Sequence, residues 1–231
     1  MSETALTYEE ATGQRTALPQ PRARSRATAI ACRALDIFGA LAGLVLLAPV
    51  LLVVVIWIRL DSRGPALFRQ ERRGLDMRPF IVNKFRSMQV NTPNDEHVAY
   101  VQSLIAGDAE RKETLFKLVA DERVTRAGRV LRKTSLDELP QLINVLLGNM
   151  SLVGPRPCLD YELVKYPAHA FGRFAVKPGI TGLWQVSGRS QLSFDEMIAL
   201  DLDYAREQTF WFNVRILMRT LPVVLLRRGA A

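Results

Sequence analysis

The stretch that most restricts this chain runs from Ile37 to Ile58 without one charged side chain. As a helix rising about 1.5 Å per residue, it is long enough to match the ~30 Å hydrocarbon core of a bilayer. It is too long and lies too far along the chain for a cleaved leader, and no small-residue cleavage site follows it.

Pro49 sits near the middle of the run, where a missing N–H and a bulky ring bend or break a helix. Arg15, Arg22, Arg24, Arg26 and Arg33 precede the run, and Arg59, Arg63, Arg69, Arg72 and Arg73 follow it. The preference of arginine for the cytoplasmic face therefore draws both flanks to the same side. The expectation is a re-entrant helical hairpin broken at Ala48-Pro49, with a kinked single span as the alternative. The chain then divides into a polar N-terminal arm (1–28), expected to be disordered, a membrane-inserted segment (29–59) and a cytosolic domain (60–231).

Charge and residue usage narrow the function classes. A formal charge of +8 with 48% hydrophobic residues calls for an anionic partner, whether phospholipid, nucleic acid or a phosphorylated substrate. Cys32 and Cys158 stand too far apart for a metal cluster and are too few for a disulfide framework, which fits a reducing compartment. With His97 and His169 as the only histidines, a zinc site or a Ser-His-Asp triad is disfavoured.

Beyond the apolar run, short apolar stretches alternate with turn signals from Arg59 to Met88, predicting a small β-hairpin. Its end, Lys84-Phe85-Arg86, places two cations on one face of an extended segment, able to meet phosphate or lipid headgroups. A solvated basic surface is the plainer reading. Residues 94–119 read as helical packing with an interruption at Gly107-Asp108, and Val124, Val130 and Leu131 as core contacts. Ser193 with Glu196 three residues on marks a helix start over 193–206, in which Asp201 and Asp203 are taken as structural. Phe210-Trp211-Phe212 then opens a segment alternating apolar residues with Arg215, Arg219, Arg227 and Arg228, as in an interfacial amphipathic helix, with an internal core helix as the alternative.

The chemistry-bearing stretch is Thr134-Ser135-Leu136-Asp137-Glu138-Leu139-Pro140-Gln141-Leu142. Ser135 and Glu138 fit a capping box, Leu139, Leu142, Ile143, Leu146 and Leu147 form an apolar stripe, and Gly148-Asn149 ends it. Asp137 and Glu138 thus fall at a helix start, where acids also serve simply to complement the helix dipole. Arg132 and Lys133 stand just upstream, and Ser151 to Pro157 follows with Arg156 between two prolines. Either arginine suits phosphate oxygens through bidentate hydrogen bonds, or an ordinary surface ion pair. Gly154, Gly179 and Gly182 read as plain turn residues.

Lys84 to Met88, Leu131 to Leu142, Ser151 to Pro157 and Lys177-Pro178-Gly179-Ile180-Thr181-Gly182-Leu183-Trp184-Gln185, together with the proline-centred apolar run, resemble the bacterial sugar transferase family of monotopic phosphoglycosyl transferases. The resemblance covers Arg33 to Arg228, with Ala48 standing where well-studied members carry serine before the proline. It implies an α/β fold: a membrane-embedded re-entrant hairpin plus a small, mostly helical cytosolic catalytic domain with a short β-hairpin and interfacial helices.

It further implies transfer of a sugar 1-phosphate from a UDP-sugar to undecaprenyl phosphate with release of UMP, at the bacterial inner membrane and facing the cytoplasm. Asp137 is then the nucleophile, anionic at neutral pH from an ordinary pKa of about 3.9. Glu138 holds Mg²⁺, Arg132 and Arg156 line the nucleotide-sugar site, and Lys84 and Arg86 serve the polyprenyl phosphate. The competing classes are a membrane-tethered basic binding protein without catalysis and a Mg²⁺-dependent nucleotide-sugar hydrolase. Nucleic acid is not an expected partner, because few aromatics interleave with the basic residues.

Overall fold

The structure is a computed structural model that describes residues 25–90, 95–106, 123–188 and 191–225. The N-terminal arm up to residue 24, and the part of the expected 94–119 helix after Ala106, lie outside the described residues.

Helix α1 (Arg26–Asp61) starts at Ser25, whose hydroxyl accepts from the Thr28 N–H at 3.1 Å. It runs on as one helix through Pro49, so the break expected at Ala48-Pro49 is not seen and the helix begins before residue 29. Packing on both sides of the proline accounts for this. On the N-terminal side, Ala40 and Leu44 meet Val82, Leu142, Val145 and Met150. On the C-terminal side, Leu51, Val54 and Ile58 meet Ala66, Phe85 and Leu131. The helix is not a core element, since only 11% of its most apolar window is buried.

Strands β1 (Leu67–Arg73) and β2 (Pro79–Phe85) form the expected antiparallel hairpin, with Leu67 opposite Phe85 and Arg73 opposite Pro79. Helix α2 (Asp95–Ala106) follows, then α3 (Arg126–Thr134) and α4 (Gln141–Leu147). Leu131 supplies the expected core contact, whereas Val130 faces solvent.

A second sheet was not foreseen. Strands β3 (Ser151–Val153) and β4 (Gly179–Thr181) pair in parallel, Ser151 with Gly179 and Val153 with Thr181. The short helix α5 (Asp160–Leu163) and a 3₁₀ stretch (Ala168–Ala175) lie between them. The glycines of this junction are close-approach positions rather than turn residues. A Cβ on Gly154, Gly179 or Gly182 would collide with the backbone of the facing segment, and none of the three has a positive φ.

Helices α6 (Leu183–Ser187), α7 (Phe194–Glu207) and α8 (Phe210–Leu225) are the last of the described elements. The cap at Ser193 forms as expected: Glu196 Oε2 accepts from the Ser193 N–H at 2.6 Å, and Ser193 Oγ accepts from the Glu196 N–H. Helix α8 buries Asn213 and Ile216 against the domain and exposes Trp211, Met218 and Leu221.

Candidate active site

The Asp137-Glu138 pair lies where α3 gives way to α4, and the local geometry differs from the expected capping box. Ser135 makes no side-chain cap. It takes a left-handed conformation (φ 58°, ψ 17°) and ends α3, its N–H meeting the carbonyls of Arg132 and Leu131. The chain reverses there into a 3₁₀ turn (Leu136–Glu138), and α4 begins after Pro140. Serine is a favoured N-cap and an uncommon left-handed residue, so its type points to the capping box, whereas the structure uses it to close α3. At the other end of α4 the expected stop is present, with Gly148 at φ 84°.

Asp137 exposes only 6% of its surface, while its neighbour Glu138 reaches toward the hairpin. Lys84, from β2, donates to Glu138 Oε1 at 3.0 Å. The structure therefore pairs two of the expected residues, Lys84 and Glu138, and buries Asp137 in the same 3₁₀ turn as Glu138. Arg132 sits in the last turn of the helix leading into the pair, half-buried.

Arg86 points elsewhere. Its guanidinium donates to the carbonyls of Arg63 and Ser62, at 2.5 and 2.8 Å, and to Ser62 Oγ at 3.0 Å, and so clamps the exit of α1. The one-face reading of Lys84-Phe85-Arg86 does not extend to a shared target, because β2 ends at Phe85.

Arg156 lies in the loop that leaves β3, beside a buried ionic network that sequence reasoning did not find. Its Nη1 donates to both oxygens of the fully buried Glu162, at 3.1 and 3.3 Å. Its carbonyl accepts from Arg173 Nη2 at 2.9 Å, and Arg173 pairs with Asp201 at 2.7 Å. Arg72 closes the group by donating to the Pro157 carbonyl at 2.7 Å. Burial alone would raise the Glu162 carboxyl, but the Arg156 and Arg72 guanidiniums hold it below the usual range. Burial and then Arg156 bring Arg72 down to about 10. Burial pushes the Cys158 thiol up to about 12, with the Glu162 charge adding, so it stays protonated and is no thiolate nucleophile at neutral pH. Arg72, Arg173 and Asp201 come to this network from segments far from Arg156 in the chain, and Asp201 is engaged there with Arg173.

Two further contacts tie α1 to the site. Asp36 Oδ1, 5% exposed, accepts from Ser151 Oγ and the Leu152 N–H, each at 2.8 Å. Arg33 donates to the Val145 and Leu146 carbonyls at 2.7 and 2.8 Å, satisfying the end of α4. The apolar helix thus grips both α4, which follows the acidic pair, and β3, which leads to Arg156.

Among the described residues no group of three or more His, Cys, Asp or Glu side chains gathers as a metal site. Adjacent carboxylates at 137 and 138 still fit Mg²⁺, which commonly takes one or two protein acids and completes its shell with water and substrate phosphate. Glu138 suits it better, its side chain 29% exposed and held by a Lys84 that is itself accessible.

The family model for bacterial sugar transferases matches residues 27–227. The galactosyl transferase CpsE of Streptococcus agalactiae is 46% identical over 202 residues, covering 87% of this chain and 43% of that protein. An undecaprenyl-phosphate galactose phosphotransferase of Salmonella typhimurium is 41% identical, over 86% of this chain and 41% of its own length. The UDP-glucose:undecaprenyl-phosphate glucose-1-phosphate transferase of Caulobacter vibrioides is 41% identical, over 86% and 71% respectively. The chain thus spans about two-fifths of the first two relatives and more of the third. With the acidic pair, the Arg156 loop and the apolar helix all inside the matched span, the chain belongs to the bacterial sugar transferase family.

Proposed function

We propose that the protein transfers a sugar 1-phosphate from a UDP-sugar to undecaprenyl phosphate, an opening membrane step of surface-glycan synthesis. The observation that carries this reading is the Lys84–Glu138 pair at the α3–α4 reversal, in the turn that also buries Asp137. The names of the Salmonella and Caulobacter relatives supply the substrate class.

In this reading an Asp137 oxygen attacks the β-phosphorus of the donor. The bond from that phosphorus to the oxygen bridging the two phosphates breaks, and UMP leaves with that oxygen. An oxygen of undecaprenyl phosphate then attacks the same phosphorus, releasing the Asp137 carboxylate and leaving a sugar diphosphate on the lipid. Two steps let a water-borne donor and a lipid acceptor use one site in turn. The low exposure of Asp137 keeps water from the acyl phosphate between them. Glu138, with Asp137 beside it, would hold Mg²⁺, which when bound supplies positive charge against the diphosphate. Lys84 and Arg132 hold phosphate oxygens, and Arg156 faces the donor from a loop fixed by Glu162 and Arg173.

The same reading sets the protein on the cytoplasmic face of the inner membrane. Contacts from Arg33 to Ile58 bind α1 to one domain over about 38 Å at 1.5 Å per residue, more than the hydrocarbon core. An upright span would pull that domain into lipid. The supported placement keeps both ends of α1 on one side and turns Phe38, Leu41, Val45, Leu46 and Val53 outward into the bilayer. The Ile30→Cys variant should resist labelling from the periplasm, and labelling there would overturn this placement.

The test of the chemistry is purified protein with Mg²⁺ and labelled UDP-sugar, with or without undecaprenyl phosphate. Asp137→Asn is expected to lose at least ~10³-fold in turnover, and Glu138→Gln to lose activity as well. Wild type alone should carry label after exposure to donor without acceptor. A normally active Asp137→Asn enzyme removes the covalent step, and UMP release indifferent to acceptor indicates a hydrolase.

A further inference from the structure

A cleft away from the acidic pair stands out among the described residues. About 790 Å³ in volume, it opens where α1 ends, against the start of α3. Arg63, Arg126 and Arg129 line it, all exposed, with Leu60 and Val90 beside them and Asp61 as the carboxylate in the lining. Asp61 directs Oδ2 to the Ala127 N–H at 2.9 Å, so part of its charge is taken up by the first turn of α3.

The geometry points to a binding site for the headgroup of an anionic phospholipid, distinct from the reacting centre; it rests on the membrane placement of α1 proposed above and not on the transfer chemistry. Three arginines match a phosphodiester, whose oxygens accept guanidinium N–H groups. Leu60, 82% exposed, continues the outward apolar ridge of α1 into the cleft, with Trp57 and Ile56 one turn earlier also exposed. Acyl chains therefore have a path along the helix while the phosphate sits among the arginines, at the depth where an apolar helix meets water. The site stands apart from Asp137: Arg126 and Thr134 mark the two ends of α3, about 12 Å apart at 1.5 Å per residue, and Asp137 lies beyond the Thr134 end. A phosphate lodged beside Arg126 is thus an anchor and not a reactant. Bound lipid would hold the exit of α1, already clamped by Arg86 through Ser62 and Arg63, at a fixed level in the membrane surface.

Native mass spectrometry of the full chain in detergent, titrated with phosphatidylglycerol and with phosphatidylcholine of the same chains, tests this. Wild type should retain phosphatidylglycerol and not phosphatidylcholine. Arg126→Ala/Arg129→Ala should bind it roughly thirtyfold more weakly. Arg69→Ala/Arg78→Ala, which removes as many exposed arginines from the hairpin region, should bind like wild type. Equal weakening in both double variants would reduce the effect to general surface charge and overturn the site. Equal retention of phosphatidylcholine would also overturn it, as would displacement of phosphatidylglycerol by stoichiometric undecaprenyl phosphate.

Discussion

The ion pairs at Arg156 and at Glu138 are built in opposite ways. Around Arg156, itself 20% exposed, the partner charges are deep: Glu162 is fully buried, and the Arg173–Asp201 pair leaves 2% and 1% of its side chains in solvent. At the acidic pair the contact is shallow, with Lys84 and Glu138 23% and 29% exposed. A deep pair cannot trade its partner for water, so it fixes a loop in place. A shallow pair opens at little cost, which is what the roles proposed for Glu138 toward a cation and Lys84 toward a phosphate require.

The contrast breaks first at Glu162. Glu162→Gln strands Arg156 and Arg72 with excess positive charge in the interior, and should cost about 3–5 kcal/mol of unfolding free energy in chemical denaturation. Next comes pH. Burial pushes Asp201 up to about 6, and Arg173 opposes that rise without cancelling it. Between pH ~4 and ~6 the folded state then holds a proton that the unfolded state has lost, so this residue's contribution to stability falls as pH rises through that window. The slope is at most about 1.4 kcal/mol per pH unit, and Asp201→Asn should flatten it. The smallest stability effect is expected at Lys84→Met, within about 1 kcal/mol, although turnover with donor should fall. A Lys84→Met protein as unstable as Glu162→Gln would erase the distinction between frame and exchangeable contact.

What the sequence disclosed was mostly local. The apolar helix, the hairpin, the Ser193 cap and the Gly148 stop each follow from residues a few positions apart. Pro49 misled because its effect is decided by packing on both flanks, which lie far apart in the chain from their partners. Strands β3 and β4 are too short to show periodicity, and they pair across an intervening helix and a 3₁₀ stretch. Asp137 and Glu138 stood out as adjacent acids, yet their supports did not. Lys84 was assigned to the acceptor and meets Glu138, Arg86 turns to α1, and Glu162 carried no sign of its tie to Arg156.

The glycine junction has a mechanical consequence. At Gly154 and Gly179 main chain lies against main chain, with no side chain between them to compress or swing aside. The segment bearing Arg156 is riveted to its neighbouring strand and moves with it or not at all. Whatever room a reactant needs beside this segment has to come from the side chains it carries, since its main chain has none to yield.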